Sequence, residues 1–266
     1  MSFTEYVRRY APRAWFLFKY HRYRLFKGEP GIHLLPEIVP RGRMAIDVGC
    51  SVGLYARALS SLAPQVIGFE ANPATAALAK KAARRNVEIV NVALSANAGG
   101  ARLRVPFSAR GRPIPDLATI EPGLKVAGAS HIVEVSTRRL DDYDYPDCGF
   151  IKIDAEGHEQ AVLEGAVQLL RRRRPVLMIE LDENLNPGTI GRVRALLEPL
   201  GYDGYFRRRR AWLPIAAFRT ERYQNLAAAL ADPRRRTIDY INNFVFVPAE
   251  APPPAIARRA AAAAGQ

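Results

Sequence analysis

Four residues able to carry or accept protons, Asp154, Glu156, His158 and Glu159, fall within the six-residue stretch DAEGHE, directly after the apolar run FIKI (150–153). A run of this kind, apolar except for Lys152, suits a central parallel strand covered on both faces. The cluster therefore falls where strand gives way to helix, the edge at which open α/β sheets hold their ligands. Two readings are open. Carboxylates and an imidazole in a cleft can orient a hydroxyl or take its proton. Alternatively, Glu156 serves the positive helix N-terminus, His158 is a surface or capping residue, and Glu159, on the apolar side of its helix, has a structural partner such as Lys152 or an arginine. Lys152 shares strand parity with Asp154, so a buried ion pair is expected between them. Glu180 ends the run PVLMIEL (175–181) as Asp154 ends its own. Adjacent strand ends would bring both carboxylates to one Mg²⁺, the rest of whose ligand set is unknown.

A second constellation lies upstream. AIDVGCSVGLYA (45–56) sets Asp47, Gly49 and Gly53 at a strand-to-helix junction, with Cys50 and Ser51 inside the loop. Glycines there permit a tight turn and close approach of a ligand. The spacing is D-x-G-x-x-x-G, and this fits the dinucleotide fingerprint G-x-G-x-x-G poorly. A pyrophosphate wants amide donors alone, whereas an acid in the loop suits an ammonium group. Asp47 is thus expected to act through the loop on the amino-acid end of S-adenosylmethionine. Glu70 ends the next strand, QVIGFE (65–70), where a carboxylate can accept both ribose hydroxyls. Ala71 and Asn72 follow it into a helix that begins at Pro73, and Asn91 and Ala93 at the end of a third strand are expected near the adenine.

The elements that must position these groups alternate. Strands are predicted over 43–49, 65–70, 87–94, 150–153 and 175–181, with helices after Gly53, from Pro73 to Arg85, after Asp154 to about Leu170, and over 189–201. Such alternation argues for an α/β fold with a mostly parallel sheet and helices on both faces. ARLRVPF (101–107) and HIVEVSTRRL (131–140) read as strands around a Gly/Pro-rich insertion at 107–131, and residues 204–213 and 242–248 as late antiparallel strands. The expected organisation is a basic, aromatic helical extension at 1–37, one domain over 38–248, and a disordered tail over 249–266 rich in Pro and Ala.

Composition sets limits. Two cysteines, Cys50 and Cys148, lack partners at metal-ligand spacing, so neither a disulfide framework nor a zinc site is implied. With no apolar segment long enough to span a bilayer and no leader pattern, the expectation is a cytoplasmic chain. Lys and Arg number 39 against 26 Asp and Glu, a net charge of +13. That surplus suits an acidic partner, whether nucleic acid, anionic lipid or anionic glycan, and equally suits compositional bias with arginines at solvated helix ends. Residues 3–27 mix aromatics with basic groups and can lie on an anionic membrane surface or pack on the domain.

These motifs together resemble the FkbM-type S-adenosylmethionine-dependent methyltransferases. IDVGCSVGLYA, FEANP, VNVALS, RRLDDY, IKIDAEGHEQAVLEGA, PVLMIE and NNFVFVP carry the resemblance over about 38–248, with D-x-E-G-x-E the most specific. It implies a class I, Rossmann-like methyltransferase fold with a seven-stranded sheet. It also implies cofactor binding by Asp47, Gly49, Gly53 and Glu70, and methylation of a hydroxyl on a sugar, glycan, glycolipid or secondary metabolite. In that fold the fourth strand ends beside the methyl group. Asp154 is then the first choice for orienting the hydroxyl or accepting its proton, with Glu156 as a further candidate and the 107–131 insertion a lid over the acceptor; His158, at a variable position of the motif, is an alternative base on its intrinsic pKa near neutrality and not on the resemblance. Nucleic-acid methylation is the alternative that +13 encourages, but no N/D-P-P-Y/F element follows the fourth strand. A catalytically inactive module of the same fold is the other alternative.

Overall fold

A computed structural model describes residues 31–124, 128–227, 240–252 and 255–256. The basic aromatic segment 3–27, Arg234–Arg236 and the alanine run of the tail lie outside the described residues. None of the described helices is long and apolar enough to cross a membrane.

Short apolar runs between turn signals form the strands β1 (Met44–Val48), β2 (Val66–Phe69), β3 (Val87–Val90), β4 (Ala93–Leu94), β5 (Gly99–Pro106), β6 (Ser130–Arg138), β7 (Cys148–Ile153), β8 (Val176–Glu180), β9 (Tyr202–Arg208), β10 (Ala211–Pro214) and β11 (Asn243–Pro248). Among the described residues the main sheet has eight strands, ordered β10-β9-β11-β8-β7-β1-β2-β3. Neighbours from β8 to β3 pair in parallel, β11 is antiparallel to both β8 and β9, so that β9 runs with the parallel set, and β10 is antiparallel to β9. Order and direction are those of the class I methyltransferase fold, with one strand beyond the seven expected. The extra strand is β10, which folds back on β9 through a turn at Arg209, a non-glycine residue at φ +52°. Only the end of the arginine run 207–210 is therefore turn. Arg207 sits in β9, bonded to Glu37 and stacked over Trp212.

The run 87–94 was expected as one strand, but it divides. β3 stays at the edge of the main sheet, while β4 pairs with β6 in a second sheet ordered β4-β6-β5. Asn91 marks the break, its Nδ2 donating to the carbonyls of Glu70 and Ala71 at 2.8 and 3.0 Å. The second sheet holds both ends of the 107–131 insertion.

Helices α1 (Leu35–Ile38), α2 (Leu54–Leu59), α3 (Pro73–Ala82), α4 (Glu159–Glu164), α5 (Val167–Arg173) and α6 (Thr189–Leu197) cover the two faces. The helix expected to run to Leu170 is broken between α4 and α5 at Gly165, where a Cβ would lie 2.1 Å from the Ser95 carbonyl oxygen. Alternate residues of the central strands feed two cores. Ile151, Ile153, Phe244 and Phe246 belong to one, and Phe150, Met178, Val245 and Val247 to the other. Ile256, in the tail, is fully buried in the second. Burying this apolar surface is the main stabilising term.

Phe244 carries much of the first core, meeting Phe218 edge-on at 4.8 Å between ring centres and lying fully buried. Phe244→Ala is expected to cost about 3–5 kcal/mol in a urea titration, from lost transfer energy and the cavity left behind; a loss under about 1 kcal/mol would contradict this packing.

Candidate functional site

The parallel strands β1, β2, β7 and β8 all deliver their C-terminal ends to one edge, and there the molecule opens a cleft of about 400 Å³. That size suits a small organic ligand. Gly49, Cys50, Ser51, Glu70, Ala71, Ala93, Asp154, Glu156, His158 and Glu180 line it. Two loops separated by some hundred residues in sequence thus meet on one wall. The contact requires glycine at position 49, since a Cβ there would fall 1.8 Å from the Asp154 carbonyl oxygen, and φ is +72°. Ser51 and Glu156, both lining the cleft, are non-glycine residues held at φ +46° and +48°. Strained backbone of this kind gathers at ligand sites.

Glu70 is fixed by its neighbours. Its Oε2 accepts from the Ser51 N–H at 2.9 Å and its Oε1 from the Asn72 N–H at 2.8 Å. Each oxygen keeps a lone pair toward the cleft. Burial raises its carboxyl from the ordinary 4.5 to about 7, against those two hydrogen bonds. Asp47 lies beneath the loop rather than on the cleft wall. It is 1% exposed, and its Oδ2 has no hydrogen-bond partner among the described residues. Burial pushes its carboxyl from 3.8 up to about 7, with Lys152 opposing and Asp154 and Glu70 adding to the rise. An orphaned buried carboxylate oxygen is costly unless a cation or donor compensates it.

Besides Asp47, three further expected cofactor residues stand off the cleft wall. Gly53, at φ +89°, starts α2. Asn72 caps α3, its Oδ1 accepting from Ala74 N at 3.0 Å and Thr75 N at 3.4 Å, which is worth about 1 kcal/mol to a helix. Asn91 braces the β2 end, as described above.

The acidic stretch divides its labour. Lys152 is fully buried, with Nζ 3.2 Å from Asp154 Oδ2 and 3.9 Å from Glu180 Oε2. Burial alone would lower its pKa; Asp154, Glu180 and Asp47 outweigh that and raise it. This geometry gives the Mg²⁺ expectation no support. Asp154 and Glu180 do converge, but on an ammonium, and no group of three or more potential metal ligands occurs among the described residues. Among the described residues Glu159 has neither Lys152 nor an arginine as partner. Its Oε1 accepts from Ala155 N at 3.0 Å and Gly157 N at 2.9 Å, closing the loop at the head of α4. Glu156 has a carboxyl raised to about 8 by burial and by Asp154 and Glu159. Both ring nitrogens of His158 are engaged, Nε2 with Ser95 Oγ at 2.9 Å and Nδ1 with Glu121 Oε2 at 2.7 Å.

Glu121 belongs to the insertion, as does Asp116, whose Oδ1 accepts from Ser51 Oγ at 2.8 Å. With Leu103, Ala118 and Ile120 the insertion forms one wall of the cleft. Sequence reasoning named the segment but none of these residues, because a Gly/Pro-rich stretch shows no periodicity from which to infer facing. Asn242 and Asn243, at the opposite wall, were read only as the start of a strand.

The cofactor implied by the resemblance can be tested against this wall. S-adenosylmethionine carries a sulfonium and an ammonium. The cleft offers it Glu70 for hydroxyls, a glycine-floored loop, and five carboxylates without any lining Lys or Arg among the described residues. The residues fit the group: Glu70 would hold the ribose, and the Gly49–Ser51 loop over Asp47 the amino-acid end with its ammonium.

Comparison with known proteins follows the same line. A family model described as Methyltransferase FkbM domain matches residues 47–203, more than half of the chain. Among solved structures, a methyltransferase FkbM from Methylobacillus flagellatus KT is similar at 15% identity and a TM-score of 0.48, covering 88% of this chain and 54% of its own. This chain thus spans about half the length of that protein. A SAM-dependent methyltransferase from Aquifex aeolicus is similar at 15% identity and TM-score 0.41, covering 85% and 91%. An rRNA methylase from Streptococcus thermophilus gives 12% identity and TM-score 0.42, covering 82% and 93%. A search of curated proteins gives no match.

The raised carboxyls set a pH dependence. A group whose pKa is raised on folding stabilises the fold below its unfolded value and loses that contribution as pH climbs through the folded one. The unliganded protein should lose stability between about pH 4 and 7 through Asp47 and Glu70. A bound cation favours their ionised forms, so S-adenosylhomocysteine should bind about tenfold more weakly at pH 6 than at pH 8 in calorimetry, with proton release on binding. Asp47→Asn should flatten that dependence; affinity that falls with rising pH would contradict the assignment.

Proposed function

This chain belongs to the FkbM methyltransferase family, and from that premise we propose that it methylates a hydroxyl of a saccharide, glycan, glycolipid or related secondary metabolite, using S-adenosylmethionine. When bound, the cofactor supplies an electrophilic methyl group on sulfur. The protein must then bring an oxygen nucleophile in line with that methyl, exclude water and accept one proton.

The observation that carries the reading is Asp154. Its carboxylate ends β7 beside the cofactor loop, lines the cleft and is held from beneath by Lys152 at 3.2 Å. A carboxylate anchored by a buried ammonium has a fixed direction, which is what orienting a hydroxyl requires. Asp154 thus orients the acceptor and receives its proton. Glu156, also on the cleft wall and titrating near neutrality, can take the proton onward. His158 is bonded at both nitrogens between Ser95 and Glu121, so its part is to fasten the insertion across the cleft rather than to meet the acceptor. The insertion then serves as the lid, with Asp116 joining it to the cofactor loop. Residues 1–27 are proposed to contact an anionic membrane surface from a cytoplasmic location.

The test is methyl transfer from labelled S-adenosylmethionine to saccharides and glycolipids, with RNA as the competing acceptor. Label is expected in the sugar as an ether that survives mild alkali, and transfer to RNA alone would overturn the reading. Asp154→Asn should leave S-adenosylhomocysteine affinity within about twofold and lower turnover by roughly 10²–10⁴. Full turnover in that variant would remove Asp154 from the mechanism.

A further inference from the structure

The charge of the cleft is opposite to that of the chain. Lys and Arg exceed Asp and Glu by 39 to 26 in the sequence. The described wall of the cleft nevertheless presents Glu70, Asp116, Asp154, Glu156 and Glu180, with no lysine or arginine. The nearest cation, Lys152, lies fully buried beneath the wall and is taken up by Asp154 and Glu180. A phosphate or carboxylate of the acceptor entering beside Asp154 and Glu180 would find carboxylates and, among the described residues, no lining arginine or lysine to pair it, whereas the carboxylate of the cofactor comes with its own ammonium. Among the described residues, no arginine takes part in the cleft wall.

The wall beyond Asp154 shows what is welcome instead. Glu180 accepts from Asn242 Nδ2, and Asn242 Oδ1 accepts from Asn243 Nδ2 at 3.0 Å. Asn243 Oδ1 ends the row, buried and without a partner among the described residues. A buried acceptor of this kind calls for an O–H or N–H donor. Phosphate and carboxylate groups are acceptors only, whereas a hydroxyl donates and accepts and can join such a row of amide and carboxylate groups at several points. All three side chains line the cleft beside Asp154.

We infer that the acceptor is an uncharged polyhydroxyl compound, and that Glu180, Asn242 and Asn243 form the subsite that reads its hydroxyls and rejects its anionic counterparts. The inference rests on the methyltransferase reading above. It narrows the expected acceptor, for which an anionic glycan was open.

The experiment uses the full chain loaded with S-adenosylhomocysteine, titrated by calorimetry with methyl glycosides of glucose, galactose, mannose and rhamnose. Methyl glucuronide, methyl galacturonide and glucose 6-phosphate are the anionic comparators. At least one neutral glycoside should bind at millimolar concentration or below, and at least tenfold more tightly than the anionic probes. Asn243→Ala should weaken that glycoside about fivefold or more while S-adenosylhomocysteine affinity stays the same. Glu180→Gln should narrow the neutral-to-uronate ratio at least threefold, an effect that a purely structural role for Glu180 would not produce. Tighter binding of uronates or phosphate, or no neutral glycoside bound by protein that does take up S-adenosylhomocysteine, would overturn the inference alone. Failure to take up S-adenosylhomocysteine would instead remove the methyltransferase reading on which it rests.

Discussion

Lys152 is an ammonium in the middle of a parallel sheet, fully buried, with carboxylates on three sides: Asp154 on its own strand, Glu180 on β8, and Asp47 in register with it on β1. Neither the lysine nor the acids would tolerate that burial alone. Removing one partner of a buried ion pair commonly costs about 3–5 kcal/mol because the other charge is left uncompensated. The pairing is therefore a constraint on the whole edge of the sheet. It fixes the end of β7 against β8 and β1, and the carbonyl of Asp154 then rests against Gly49, where no side chain has room. Cofactor loop and acidic loop are positioned by one cluster of charges.

The same cluster explains why so many acids can face one cleft. Lys152 offsets part of the charge of Asp154 and Glu180, Glu159 is stabilised by two backbone N–H groups, and Glu70 by two more. Burial nevertheless holds Asp47, Glu70 and Glu159 at about 7 and Glu156 at about 8. Asp47 and Glu156 await a cation, and a sulfonium or ammonium is the chemistry that would complete them. The insertion closes the arrangement by touching the cofactor loop through Asp116 and the head of α4 through Glu121.

What could be read from the sequence was whatever local spacing determines. The order of strands and helices, the glycine loop, Glu70 at a strand end and the parity of Lys152 with Asp154 all follow from short-range pattern. What could not be read depended on facing across the sheet. Two carboxylates at adjacent strand ends look the same in sequence whatever they close on, and the position of Lys152 Nζ against both Asp154 and Glu180 comes only from the structure. Asn72 and Asn91 were sensibly placed near the cofactor, but each spends its side chain on backbone at the β2 end. The break of 87–94 into two sheets, and the strand added by the β9–β10 hairpin, are tertiary choices that local strand propensity does not encode. Glu121 and Asp116 reach the cleft from an aperiodic segment.

The most direct test of the central claim is a crystal structure of the protein grown with S-adenosylhomocysteine. The ribose hydroxyls should lie within hydrogen-bond distance of Glu70, the amino-acid end over the Gly49–Ser51 loop above Asp47, and the sulfur facing Asp154 with the Lys152 pair intact. Ligand density elsewhere on the molecule, or a Lys152 released from Asp154 and Glu180, would contradict the account.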